Sequence, residues 1–164
     1  MKLFSMLVAV AMTSVLSAQA GAQATKPAAK PAAKAGGAAR TVNITGNDQM
    51  KYDISTINAK PGERLHIVLK NVGQMPKVAM AHNFVLLNAG ADVDAFTKAA
   101  ISARDTDYVP ASMKAQVVGH TTLAGPGETV ETTLTVPSKP GSYTFLCSFP
   151  GHYAAGMKGT LVVK

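Results

Sequence analysis

Cysteine occurs once in the 164 residues, at position 147. No disulfide can form within the chain, which excludes the stapled scaffolds common among small secreted proteins. The lone thiol is an intermolecular bridge, a free thiol or a metal ligand. Tryptophan is absent and aromatic residues make up 5% of the chain. No stripe of cations interleaved with stacking rings is therefore offered to nucleic acid, and none is expected as a partner. Long apolar runs are also missing apart from Leu3–Leu16, broken only by Ser5, Thr13 and Ser14. That run is too short for a membrane span and has no stop-transfer flank, so no stable membrane insertion is expected.

With Lys2 before it and small residues after it, the run reads as a cleaved signal peptide of residues 1–20. Ala18-Gln19-Ala20 and Ala22-Gln23-Ala24 both offer the A-x-A pattern, so cleavage falls as late as residue 24. No cysteine lies nearby to become a lipidated N-terminus. Export to the periplasm is the expectation. Residues 21–40, including TKPAAKPAAKAGGAAR, hold lysine, alanine, proline and glycine without apolar periodicity. Such a segment cannot bury enough surface to offset its ordering entropy, and reads as a flexible linker. A sharper reading makes it a basic arm for an anionic partner or membrane surface.

Acidic residues are few, nine against sixteen Lys and Arg, but the imbalance is local. Five of those cations lie in residues 1–40, which leaves eleven facing all nine carboxylates in 41–164, about +2. The domain, 41–164, is thus nearly balanced. It reads as β-rich. In ERLHIVLKN, Leu65, Ile67 and Leu69 share one face, with His66, Val68 and Lys70 on the other. Val130, Thr132, Leu134 and Val136 share a face of a second strand, and Tyr143, Phe145 and Cys147 of a third. Thr41–Thr45, Asn83–Asn88 and Gly159–Val163 add short strands, with turns at Ala59-Lys60-Pro61-Gly62, Gly125-Pro126-Gly127 and Lys139-Pro140-Gly141. Ala91–Arg104 breaks the pattern as a helix placing Val93, Phe96 and Ala100 on one face. The sum is an all-β sandwich with one inserted helical flap.

The solitary cysteine sits at a strand end. Ser148-Phe149-Pro150-Gly151 separates it from His152, and Tyr153-Ala154-Ala155-Gly156 separates His152 from Met157. One loop thereby supplies thiolate, imidazole and thioether donors. A His₂Cys plane with a weak axial Met is the donor set of a blue-copper electron-transfer site, and it needs one more histidine. His82, at a strand start, is the candidate; His66 lies mid-strand and His120 precedes a Thr/Leu segment. Zinc is the poorer fit, because methionine is a poor donor for it. A nucleophilic Cys/His pair would need an orienting group, for which Asn83 is available, and an oxyanion hole that nothing supplies.

At these residues the chain resembles the cupredoxins, and among them the azurins. The resemblance runs in order through Gly46-Asn47-Asp48-Gln49-Met50, Met75-Pro76-Lys77, Met80-Ala81-His82-Asn83-Phe84, Cys147-Ser148-Phe149-Pro150-Gly151-His152 and Met157-Lys158-Gly159-Thr160-Leu161. It implies a Greek-key β-sandwich of about eight strands binding one type 1 copper through His82, Cys147, His152 and axial Met157. It also implies an approach of the Ala81 carbonyl to the metal, Asn83 tying the ligand loops together beside Ser148, and the Phe149 amide tuning the thiolate. An exposed edge of His152 would be rimmed by a docking patch of Met50, Met75, Pro76, Phe149, Pro150, Ala154 and Ala155. The chain departs from azurins in four respects: Ala81 replaces glycine, four residues rather than three separate His152 from Met157, the azurin disulfide is missing, and Phe84 and Asn71 stand where many azurins have tryptophan and a pH-responsive histidine.

The resemblance implies an exported, monomeric carrier of single electrons that meets transient redox proteins, of cytochrome or copper-enzyme type, and is no enzyme. One rival is a periplasmic copper-binding or delivery module without a redox role, which would favour open sites rich in Met or His. A copper enzyme is another, but it needs a second site for which only His66 and His120 remain.

Overall fold

The computed structural model describes residues 37–164. The expected signal peptide and most of the expected linker lie outside the described residues. Strand β1 (Arg40–Asn47) begins where that linker was expected to end. It is followed by β2 (Lys51–Tyr52), β3 (Thr56–Ala59), β4 (Arg64–Asn71), β5 (Val85–Leu87), helix α1 (Val93–Ala100), β6 (Val117–His120), β7 (Thr129–Thr135), β8 (Gly141–Leu146) and β9 (Lys158–Val163).

The strands form two mixed sheets, ordered β2-β1-β4-β7 and β3-β9-β8-β5-β6. β1 runs parallel to β4, and β3 parallel to β9; the remaining pairs are antiparallel. Alternation makes the sandwich. On β4, Leu65, Ile67, Leu69 and Asn71 are buried and the residues between them are not. Leu65, Ile67 and Leu69 meet Ile44, Phe84, Leu86, Leu134, Tyr143, Phe145 and Leu161 in the core between the sheets. This is the β-sandwich the patterning predicts.

β5 is buried on both faces, which explains why its sequence shows an unbroken apolar run rather than alternation. Leu86 enters the main core, while Val85 and Leu87 join Phe96, Val109 and Leu146 in a second cluster beneath α1. α1 is shorter than the expected Ala91–Arg104. Asp92 caps its start by accepting from the Ala95 N–H at 2.9 Å, and the helix stops at Ala100. Further on, Asp107 and Tyr108 adopt left-handed φ angles of 54° and 60°, turning the chain back so that Val109 is buried. Tyr108 thereby comes to rest against Phe149, ring centroids 5.0 Å apart.

Candidate metal centre

The site lies where the end of β8 and the start of β9 meet the segment that carries His82. β8 ends at Leu146, so Cys147 is the first residue beyond it. Its N–H still donates to the Met157 carbonyl at 3.0 Å, which closes residues 147–157 into one loop. Within the loop His152 N–H bonds Phe149 O, Ala155 N–H bonds Gly151 O, and Met157 N–H bonds His152 O. Gly151 and Gly156 have φ of 86° and 96°, values that favour glycine at both bends.

His82 arrives from the other side. It forms an isolated bridge with Ala124: His82 N–H donates to Ala124 O at 3.0 Å, and Ala124 N–H returns to His82 O at 2.7 Å. The preceding loop is held by a buried amide. Asn71 Nδ2 donates to Met80 O and Ala124 O, and its Oδ1 accepts from the Gly73 N–H at 2.8 Å.

His82, Cys147 and His152 come together with their ligating atoms all within 4.8 Å of one another. His82 Nδ1 lies 3.2 Å from His152 Nδ1, and Cys147 Sγ lies 3.4 Å from that same nitrogen. Cys147 and His82 are wholly buried and His152 is 2% exposed, so its ring edge is less open than the resemblance implies. Met157 is fully buried and clusters with Ala81, Cys147 and Phe149. Gly46 on β1 explains how close this packing is. A Cβ there would stand 2.9 Å from both His82 Cδ2 and the Met157 methyl carbon. Gly46 belongs to the motif Gly46–Met50, yet sequence reasoning did not give it a role in the site.

The surroundings hold the two imidazoles neutral, ready for a metal, and hold the thiol protonated until one displaces its proton. Burial pulls His152 down to about 4, with the nearby His82 adding to the effect. Burial also lowers His82, against the pull of the Asn47 carbonyl and the Asp48 carboxylate. Both rings are therefore neutral at pH 7. Nε2 of His82 is buried without a hydrogen bond of standard geometry; the Asn47 carbonyl is the group beside it that favours a proton there. Burial pushes the Cys147 thiol up to about 12, while the backbone N–H groups of Asn83 and Phe149 act to stabilise its thiolate. A buried thiol this weakly acidic ionises at neutral pH only if a cation replaces its proton. Two neutral imidazoles, a thiol and a thioether fit copper better than zinc.

Asn83 joins three segments. Its Oδ1 accepts from Ser148 N–H at 2.9 Å, and its Nδ2 donates to Ser148 Oγ at 2.9 Å and to Asp107 O at 2.8 Å. The link to the flap is additional to what sequence reasoning anticipated, as is Tyr52, whose hydroxyl donates to Asn83 O at 2.5 Å. Of the expected patch, Met75, Pro76 and Ala154 are exposed, Met50, Pro150 and Ala155 are half-buried, and Phe149 is buried against the His152 ring at 4.7 Å. His66 pairs with Glu131 at 2.5 Å and His120 Nδ1 lies 3.1 Å from the Thr121 carbonyl; neither joins the cluster.

Residues 38–164 match the family described as copper binding proteins, plastocyanin/azurin family. Outer membrane protein H.8 of Neisseria meningitidis serogroup B is 42% identical over 123 residues, covering 73% of this chain and 64% of that protein. The chain thus spans a little under two thirds of that relative's length. Azurin of Pseudomonas aeruginosa is 39% identical over 127 residues, covering 76% of this chain and 84% of the azurin. Among solved structures, dithionite-reduced auracyanin from Roseiflexus castenholzii aligns with a TM-score of 0.68 at 34% identity, covering 78% of this chain and 99% of that one. Auracyanin A from Chloroflexus aurantiacus, titled a "blue" copper protein, aligns at 0.69 with 30% identity, over 77% and 100%.

Proposed function

The chain belongs to the plastocyanin/azurin family of copper binding proteins, and from that premise we propose that it is an exported type 1 copper protein carrying single electrons between redox partners in the periplasm. The observation that carries this reading is the convergence of His82 Nδ1, Cys147 Sγ and His152 Nδ1 within 4.8 Å in a buried pocket. Copper bound there would supply a one-electron Cu(II)/Cu(I) couple.

The chain's own residues prepare for that couple. His82, Cys147 and His152 would be the strong ligands and Met157, buried beside Cys147 and Ala81, the weak one, with the Ala81 carbonyl a further candidate donor. Cys147 would give up its proton on loading, and the Asn83 and Phe149 amides then stabilise the sulfur's charge. Both loops rest on the two-sheet sandwich, which would keep the donor positions nearly fixed when charge at the centre changes by one. That rigidity suits rapid exchange. Water is excluded by Phe149, Met157 and the His152 ring itself. Exposed Met75, Pro76 and Ala154 would form the outer part of an apolar docking patch for short-lived encounters of a monomer with its partners. Among the described residues no helix is long and apolar enough to cross a membrane.

Cu(II) titration of the full chain tests the reading. One equivalent is expected to produce an intense red-region charge-transfer band and a reversible one-electron wave. Cys147→Ser is expected to abolish the band. A Cys147→Ser protein that keeps it, or a wild type that binds Cu(II) without it, overturns the assignment; the second result would favour a delivery module.

A further inference from the structure

β2 is only two residues long, yet both of its side chains reach the site's loops. It pairs with β1 at Gly46↔Tyr52 and Asn47↔Lys51, next to the glycine on which His82 and Met157 pack. The turn that returns the chain is fixed locally: Met50 N–H donates to Asn47 O at 3.0 Å, Met50 takes φ 57°, and Asn47 Oδ1 accepts from the N–H groups of Gln49 and Lys51. Neighbouring side chains on a strand leave in opposite directions. Tyr52 turns inward onto Phe145, centroids 5.7 Å apart, and its hydroxyl bonds the Asn83 carbonyl. Lys51 turns the other way, and its ammonium donates to the Ala155 carbonyl in the loop between His152 and Met157.

That loop has a reason to need a brace. Its hydrogen bonds run from Ala155 N–H to Gly151 O, Gly156 N–H to Tyr153 O and Lys158 N–H to Gly156 O, and the Ala155 carbonyl finds its donor in Lys51. Gly156 records how near the lysine lies, since a Cβ there would be 2.6 Å from Lys51 Nζ. We propose that Lys51 and Tyr52 are positioning residues, a two-armed brace in which Tyr52 fixes the His82–Asn83 segment and Lys51 fixes the His152–Met157 loop. The inference rests on those segments carrying the copper donors.

The test uses the full chain as Lys51→Met, Lys51→Arg and Tyr52→Phe variants, first without metal and then copper-loaded. Without metal, amide hydrogen exchange at Ala155, Gly156 and Met157 is expected to quicken about tenfold in Lys51→Met, the loss of one charge-assisted bond. Exchange in β4 and β9 should not move, and Lys51→Arg should restore the loop. Tyr52→Phe, which keeps the ring, should quicken Asn83 and Ser148 amides and leave residues 155–157 alone. Copper-loaded Lys51→Met should show its red-region charge-transfer band shifted relative to the wild type. Unchanged loop exchange overturns the brace, and so does an increase spread evenly over both sheets. A shifted reduction potential with unchanged exchange also overturns it, since the lysine would then act by charge alone. A wild type with no blue band would sink the copper reading but leave the exchange result standing.

Discussion

The two segments that bring donors to the centre are built by opposite means. Residues 147–157 carry Cys147, His152 and Met157 and close on themselves through consecutive short backbone bonds. The segment 72–82 carries His82 alone, exposes Val72, Met75 and Val78, has a local turn in which Ala79 and Met80 N–H donate to Pro76 O, and is pinned mainly by side chains outside it. Asp48 accepts from Gln74 and Met75 N–H, Asn71 holds Met80 and Ala124, and Lys77 pairs with Glu128 at 2.7 Å. A loop bonded largely to itself takes most of its shape from local contacts and needs few outside ties, here Lys51 and Asn83. A loop pinned from outside keeps its shape only while its distant anchors stay in place.

The largest effect should come where the two segments are joined. Asn83→Ala removes three hydrogen bonds from a wholly buried amide and is expected to cost about 3 kcal/mol, read from chemical denaturation of the metal-free chain. Amide exchange should quicken in both segments together. A loss confined to residues 72–82 would mean that the Cys147 loop needs no partner.

Asn71→Leu separates them instead. It leaves Met80 O, Ala124 O and Gly73 N–H without their amide partner, at about 2 kcal/mol. Exchange at His82 and Ala124 should rise while Met157 stays protected. Equal loosening of Met157 would erase the distinction between the two designs.

The same distinction governs which parts of the molecule are legible in its sequence. Cys147, His152 and Met157 lie within eleven residues with turn-forming Pro150, Gly151 and Gly156 between them, so their convergence is a local property and shows in the spacing. His82 stands out only as a histidine at a strand start, because its anchor Ala124 lies 42 positions further on. The long strands β4 and β7 are legible through alternation. β6 is half-buried at every position and so lacks a period, while β3 alternates Ile57 and Ala59 inward but over only four residues, too few for the pattern to stand out. β2 is invisible for the same reason, being set by the Asn47 turn rather than by pattern. Gly46 could have been found from its motif, since a glycine near a strand end often marks a close approach.

Acid should also distinguish the two histidines. Both have pKa values lowered in the fold, so the unfolded chain binds more protons and stability falls as pH drops below the unfolded value near 6.5. For His152 the loss continues until its folded value of about 4, and amounts to about 2 kcal/mol at pH 5. For His152 burial is the main cause and the His82 charge adds to it, whereas for His82 the Asn47 carbonyl and Asp48 work against burial. NMR titration of the metal-free chain should therefore show a His82→Gln variant raising the His152 midpoint. A midpoint that stays put would assign the whole depression to burial.

The smallest effect on the fold, and the most direct on function, is expected at the surface. Met75 is 43% exposed on the externally pinned segment, and Ala154 is exposed on the self-bonded loop. Met75→Glu and Ala154→Glu should each change unfolding by less than about 0.5 kcal/mol and leave the charge-transfer band of the copper form where it was. Two copies that meet through this face would each bring an added carboxylate to the contact. Electron self-exchange should then slow by roughly three- to tenfold at low salt and recover as salt screens the repulsion. If only Ala154→Glu slows exchange, contact is made over the His152 loop and the exposed apolar side chains of 72–82 stand outside it. If both do, the two segments that differ so much in construction meet the partner as one surface. Unchanged rates in both variants would remove the docking patch from the proposed function.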